Sequence, residues 1–233
     1  MKNFITSLKR PLHKDTCYPI NELKYKLDII TYKEIFDKAN KNTSSSPSGI
    51  HYGYYKVAVQ DDFLAEVNII FMRVPFEHGF PLERWSNSVH CMLQKKKQVF
   101  IHRLRIIQLF GADFNSALKY VLGRHLLYHC EEQSLNSTQT HGSWPGRCTH
   151  DALKFNTLTY DIAWLARLQM ITLFNDTAGC YDRMRHNLTT ITTRRMGCPK
   201  EFVLCHARVQ NQMKYYIKTK AGVSPSFFRL HHL

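Results

Sequence analysis

The chain has 233 residues, 44% hydrophobic and 12% aromatic, enough to bury a sizeable core in one large domain or two small ones. Its 32 Lys+Arg against 18 Asp+Glu give a formal charge of +14, a surplus that points to a polyanionic partner, usually nucleic acid. The seven cysteines are irregularly spaced with no Cys-x-x-Cys, which argues against a zinc module or a disulfide framework; no apolar run reaches the ~18 residues of a membrane span.

Residues 1–44 form a basic flank, in which LKYKLDIITYKEIFDKA (Leu23–Ala39) predicts one or two short helices. The opening MKNFITSLKRPLHKD lacks the apolar core of a signal peptide, so the expected location is intracellular, cytoplasmic or nuclear. NTSSSPSG (Asn42–Gly49) marks a loop and a boundary. Helical spacing over 54–72 predicts a helix, PFEHGFPLE a turn, and RWSNSVHCML a short helix or strand. Leu93–Phe110 reads as two strands around a basic turn, because it is rich in β-branched and aromatic residues. ADFNSALKYVLGRHLLYHCEE predicts a helix with Asp113 near its N-cap, and THDALKFNTLTYDIAWLARL another with Thr149 as cap. LQMITLFND then reads as a strand, RMRHNLTTITTRRMGCPK as a short helix with a Gly-Pro break, and EFVLCHARVQNQMKYYIKTK as a last helix. The alternation of helix and strand predicts an α/β (α+β) fold with long helices.

FNDTAGCYDRM (Phe174–Met184) places Asp176 at the end of an apolar run, followed by a turn of small residues. That arrangement suits Mg²⁺, which takes one or two protein carboxylates and fills its shell with water and phosphate oxygens. It suits equally a helix cap at Asp176 and an ion pair of Asp182 with Arg183 or Arg185. Upstream, Lys95, Lys96, Lys97, Arg103 and Arg105 crowd one hairpin with no acid among them. Cations for a triphosphate beside a carboxylate for a metal are what nucleotide polymerisation needs. Four other features carry weaker signals. His125 and His129 are four apart on a helix, a spacing that can bind zinc, but without a His-Glu-x-x-His order. Asp61-Asp62 reads as a solvated helix face. Tyr52, Tyr54 and Tyr55 read as core before base-stacking platforms. Residues 183–220 hold nine Lys/Arg and one acid, Glu201, a basic face for phosphates.

The blocks TSSSPSGIHYGYYK, Trp85, MLQKKK, RLRIIQLFGADFN, HGSWPGRCTHDAL, FNDTAGCYDRM and RRMGCP follow one another in order. In that order the chain resembles the reverse transcriptase domain of non-LTR-type retroelements, an RNA-directed DNA polymerase, over residues 45–222. The resemblance implies a right-hand polymerase, with fingers over 45–165 and the start of a palm over 166–233. It implies that Asp176 is the first metal-binding, catalytic aspartate, for Mg²⁺ or Mn²⁺ in the complete domain. Thr177 and Ala178 would lie against the triphosphate, and Tyr181 would exclude a ribose 2′-hydroxyl. Arg105 would contact the incoming triphosphate, and Lys97 phosphate or template. Lys95, Lys96 and Arg103, with Gly146 and Arg147 of the fingers, would lie along the nucleic acid. The implied partners are RNA template, RNA/DNA hybrid and dNTP, with no membrane.

Two substitutions depart from the family pattern: RIIQL lacks the proline of Arg-Pro-Ile-Ser-Leu, and Trp144 stands where a polar or basic residue is expected. Neither Gly-Gln-Gly nor Tyr-x-Asp-Asp occurs in the 233 residues. Two-metal catalysis needs several carboxylates, so the expectation is a truncated fingers and partial palm, with a small incomplete sheet, inactive unless another polypeptide completes it. The alternative is a non-catalytic RNA/DNA-binding remnant of a retroelement.

Overall fold

A computed structural model describes residues 21–43, 46–94, 104–135, 141–142, 146–172, 184–219 and 222–228. The chain divides into two compact units, Met1–Leu126 with His186–Leu233, and Leu127–Arg185. Both helix and strand are present. Among the described residues, no helix is long and apolar enough to cross a membrane.

In the first unit, α1 (Ile29–Asp37) starts where the Asp28 carboxylate accepts from the Thr31 amide at 2.9 Å. That bond, with Lys26 at 3.0 Å, lowers the Asp28 pKa to about 2. Helix α2 (Tyr52–Ala58) buries Tyr52 and Tyr55 and leaves Tyr54 half exposed, so two of the three tyrosines are core, as expected. The helix expected over 54–72 is two helices. The break falls at 59–61, and α3 (Asp62–His78) is capped by Asp61, whose carboxylate accepts from Leu64 at 3.0 Å. Asp62 pairs with Lys33 at 2.5 Å, which spends both carboxylates of Gln-Asp-Asp-Phe on local structure.

Helix α3 runs through Pro75, where the sequence predicts a turn. Its lost backbone donor is outweighed by burial: Pro75, Met72 and Phe76 all enter the core. The helix stops at Gly79, whose φ of +75° favours glycine. A 3₁₀ turn (Glu83–Ser86) leads into β1 (Asn87–Gln94), which pairs antiparallel with β2 (Leu104–Leu109). An antiparallel pair is present, but β1 lies mostly upstream of the expected Leu93–Phe110 segment, and the basic turn lies outside the described residues. Helix α4 (Ala112–Tyr120) follows, then a π-helical turn (Val121–Leu126). The N-cap of α4 is Gly111, and Asp113 lies in the first turn, near the cap as expected; it is also the buried anchor described below.

The unit closes with α7 (His186–Arg195), α8 (Lys200–Asn211) and three strands, β3 (Lys214–Thr219), β4 (Gly222–Val223) and β5 (Phe227–Phe228). The last helix was expected to reach residue 220. It ends at Asn211 because Lys-Tyr-Tyr-Ile-Lys-Thr alternates and is rich in aromatic and β-branched residues, a pattern for a strand. The sheet order is β2-β1-β3-β4, with β1 and β3 parallel and β5 also on β3. Strands β4 and β5 act as one edge strand broken at Pro225, which cannot donate a ladder bond. Ser224 bridges the break: its amide donates to the Ile217 carbonyl and its hydroxyl accepts from the Ile217 amide, both at 3.0 Å.

The core is aromatic. Phe76 stacks on Trp85 at 5.2 Å and on Phe202 of α8 at 4.5 Å, with Phe114 at 5.1 Å from Trp85. A second cluster joins Tyr32, Phe36 and Tyr55, with centroids 4.8 and 4.9 Å apart. Such pairs contribute about 0.5–1.5 kcal/mol each beyond their buried area.

In the second unit, α5 (Leu127–Glu132) buries His129 and Cys130. Helix α6 (Thr149–Leu165) has Cys148 at its N-cap, one residue before the expected Thr149. It buries no side chain. Residues 168–172, read from sequence as the start of a strand, form no strand among the described residues, and Ile171 is 90% exposed; the rest of that expected strand, 173–176, lies outside them.

Candidate nucleic-acid interface

The strand register assigns side chains to faces. Leu93 lies opposite Arg105, and Cys91 is level with both Ile107 of β2 and Lys218 of β3. Because side chains alternate along a strand, Arg105, Ile107, Leu93 and Lys218 share one face, with Tyr216 and Lys214 further along β3. Arg105, Ile107, Leu93 and Lys218 are all exposed. Two strand spacings across and two residues along separate the Cα atoms of Arg105 and Lys218 by roughly 12 Å. Both side chains are long enough to reach phosphates one nucleotide apart on a strand laid between them. Tyr216 donates to the Asn87 carboxamide oxygen at 3.4 Å, which steadies its ring on that face. The opposite face is lined by buried Ser88 and Tyr215, with His90 4.8 Å from the Tyr215 ring.

A buried network fixes the base of this hairpin. Asp113, 1% exposed, accepts from the Trp85 indole Nε1 at 2.8 Å and forms an ion pair with Arg84. Burial works against the Arg84 charge, yet the Asp113 carboxylate beside it raises its pKa overall. Burial, and then the same carboxylate, hold the Tyr55 phenol neutral. A Cβ at Gly111 would come within 3.0 Å of Asp113 Oδ1 and press on that carboxylate. The Ser46 amide donates to the Phe110 carbonyl at 3.1 Å, tying the Ser-Pro-Ser-Gly loop to the same junction. The blocks that stand apart in sequence at 46–49, 85 and 111–115 therefore meet in space.

In the second unit, Gly146 has a φ of +75°, and Arg147 lies 3.7 Å from Glu131. The side chains of Lys95, Lys96, Lys97, Arg103, Asp176, Thr177, Ala178 and Tyr181 lie outside the described residues. Among the described residues, no three His, Cys, Asp or Glu stand together to hold a metal, the His125–His129 pair included.

Reasoning from sequence missed Arg84, which carries the buried ion pair, and Tyr216; it counted Lys214 and Lys218 in the basic segment 183–220 but assigned Lys214, Tyr216 and Lys218 all to a helix. The signal for the last three was present, in the period-two alternation of Lys214, Tyr216 and Lys218 against Tyr215, Ile217 and Thr219. Neither a family model nor any curated protein matches this chain.

Proposed function

We propose that the chain is the fingers and first palm segment of a reverse transcriptase domain, and that its sheet face holds RNA template, RNA/DNA hybrid and nucleotide phosphates by charge. The observation that carries this reading is the exposed face on which Arg105 and Lys218 flank Ile107 and Leu93. Cations placed for phosphates beside apolar side chains for bases suit a single strand without sequence preference. The block order supports the same reading, as does the buried contact between Trp85 and Asp113, which joins two of those blocks.

Asp176 is the metal-binding aspartate in this reading. Among the described residues, no cluster of three His, Cys, Asp or Glu stands ready to hold Mg²⁺. The second reading, a non-catalytic RNA/DNA-binding module, uses the same face and needs no metal.

Binding of labelled single-stranded RNA between about 50 and 200 mM salt tests the shared part. A steep fall in affinity with salt is expected, and Arg105→Ala lowers the log–log slope by about 1. Salt-insensitive binding, or none, overturns both readings. Primer extension, with a polypeptide carrying Gly-Gln-Gly and Tyr-x-Asp-Asp supplied in trans, separates them. Extension that Asp176→Asn abolishes supports the polymerase; RNA binding without extension leaves the binding module.

A further inference from the structure

A cavity of about 370 Å³ opens in the first unit. Its walls are the C-terminal end of α1, the start of α2, and one side of α4 with the π-helical turn. The volume falls within the range of small-molecule sites. Three cations line it, Lys38, Lys119 and Arg124, against one acid, Glu34, which lies 3.6 Å from Arg124.

The carbonyls at the end of α1 would ordinarily draw such lysines. They are already taken: Lys56 donates to the Asp37 carbonyl at 2.6 Å and to the Ala39 carbonyl at 3.1 Å. Lys38 and Lys119 remain exposed, with no ion pair among the described residues. The π-helical turn matters here. It carries more residues per turn than an α-helix, so Arg124 falls back into line above Ser116 and Tyr120 on the cavity wall. The aromatic walls are fixed in advance: Tyr52 OH accepts from the Asn115 side chain at 2.8 Å, and Tyr120 OH lies 3.3 Å from the Thr31 hydroxyl.

We propose that this cavity binds the phosphate of a nucleotide, with Lys38 and Lys119 on the phosphate and the rings of Tyr52 and Tyr120 against the nucleoside. Arg124, tethered to Glu34, closes the far side. The phosphate can come from a free mononucleotide or from the 5′ end of a strand. This site is independent of the sheet face and of Asp176, and lysines hold its ligand without a metal.

Calorimetric titration of the full chain in EDTA is the test, with adenosine 5′-monophosphate, adenosine, and an RNA oligomer with or without its 5′-phosphate. Saturable binding of the monophosphate or of the 5′-phosphorylated oligomer is expected, at least tenfold tighter than its phosphate-free counterpart. The tighter of the two identifies the source of the phosphate. Lys38→Gln with Lys119→Gln weakens it tenfold or more, and Ile35→Trp, which fills the cavity and keeps every cation, blocks it. Arg105→Ala leaves it unchanged. No saturable binding by a chain that circular dichroism shows to be folded overturns the proposal, as does equal binding by the double variant or by Ile35→Trp. Loss of binding with Arg105→Ala moves the ligand to the sheet face and overturns the cavity assignment while leaving the polymerase reading intact.

Discussion

Helices α3 and α6 are both 17 residues long and both rich in apolar side chains, yet they have opposite fates. Helix α3 buries six residues, among them Ala65, Ile69, Met72 and Phe76 at spacings of three and four. Helix α6 buries none: Leu158 is exposed, and Trp164 is 85% exposed. Composition does not separate the two. The difference lies in partners: within its unit α3 has α8, α1 and the Trp85 turn packed against its stripe, whereas α6 buries no side chain. Apolar content stabilises a helix only when something removes it from water.

The contrast can be broken most forcefully in the core. Phe76→Ala removes a ring stacked on Trp85, Phe114 and Phe202 and is expected to cost about 3–5 kcal/mol, read as a fall in urea midpoint. Asp113→Ala strands the Arg84 charge and the Trp85 indole. The loss is expected near the lower end of the roughly 3–5 kcal/mol for a broken buried pair, about 3, because Arg84 keeps 30% exposure.

Acid is the next lever. Burial, and then the charge of His186, lower the His206 pKa to about 4, while its ring lies against Phe114 and 3.3 Å from the Gln210 side chain. The unfolded chain therefore binds this proton at a higher pH than the folded one. Stability is full above pH ~6.5 and falls as pH drops towards 4, by roughly 2 kcal/mol at pH 4.5. Unfolding midpoints at pH 7 and 4.5 check this, and His206→Leu flattens the difference. Smaller still, Asp28→Ala removes the cap of α1 and costs about 1 kcal/mol. At the far end of the scale, Leu158→Ser in α6 is expected to change stability by no more than about 0.5 kcal/mol, since it uncovers nothing. A loss comparable to that of Phe76→Ala would show that α6 is covered in solution.

Much of the local architecture was legible. The antiparallel strand of the Leu93–Phe110 segment and the Gly-Pro break before α8 follow from short-range chemistry, whereas the Asp28 and Asp61 caps, equally local, went unread, Asp61 having been placed inside one long helix. Pro75 misled, because a local breaker was set against burial on the far side of the chain. The β3 strand misled in the other direction: its alternation, itself a strand signal, was read as the tail of a helix, and its pairing with β1 settles it as a strand. Of the candidate site, Arg105 could be named from its block and Lys218 only as one cation of the basic segment 183–220; that they share a face could not be read. The two are brought together by parallel register across more than a hundred residues, which no window of sequence contains.

The Phe76–Phe202 stack has a consequence for how the protein is made. The two rings are 126 positions apart (202 − 76), so at roughly 5–20 residues per second Phe76 and Trp85 wait on the order of 6–25 s for their partner to leave the ribosome. During that interval the whole second unit, with the exposed apolar surface of α6, is synthesised beside an unfinished core. Nascent chains halted before residue 202 should therefore engage chaperones strongly, and release should come only once α8 has emerged.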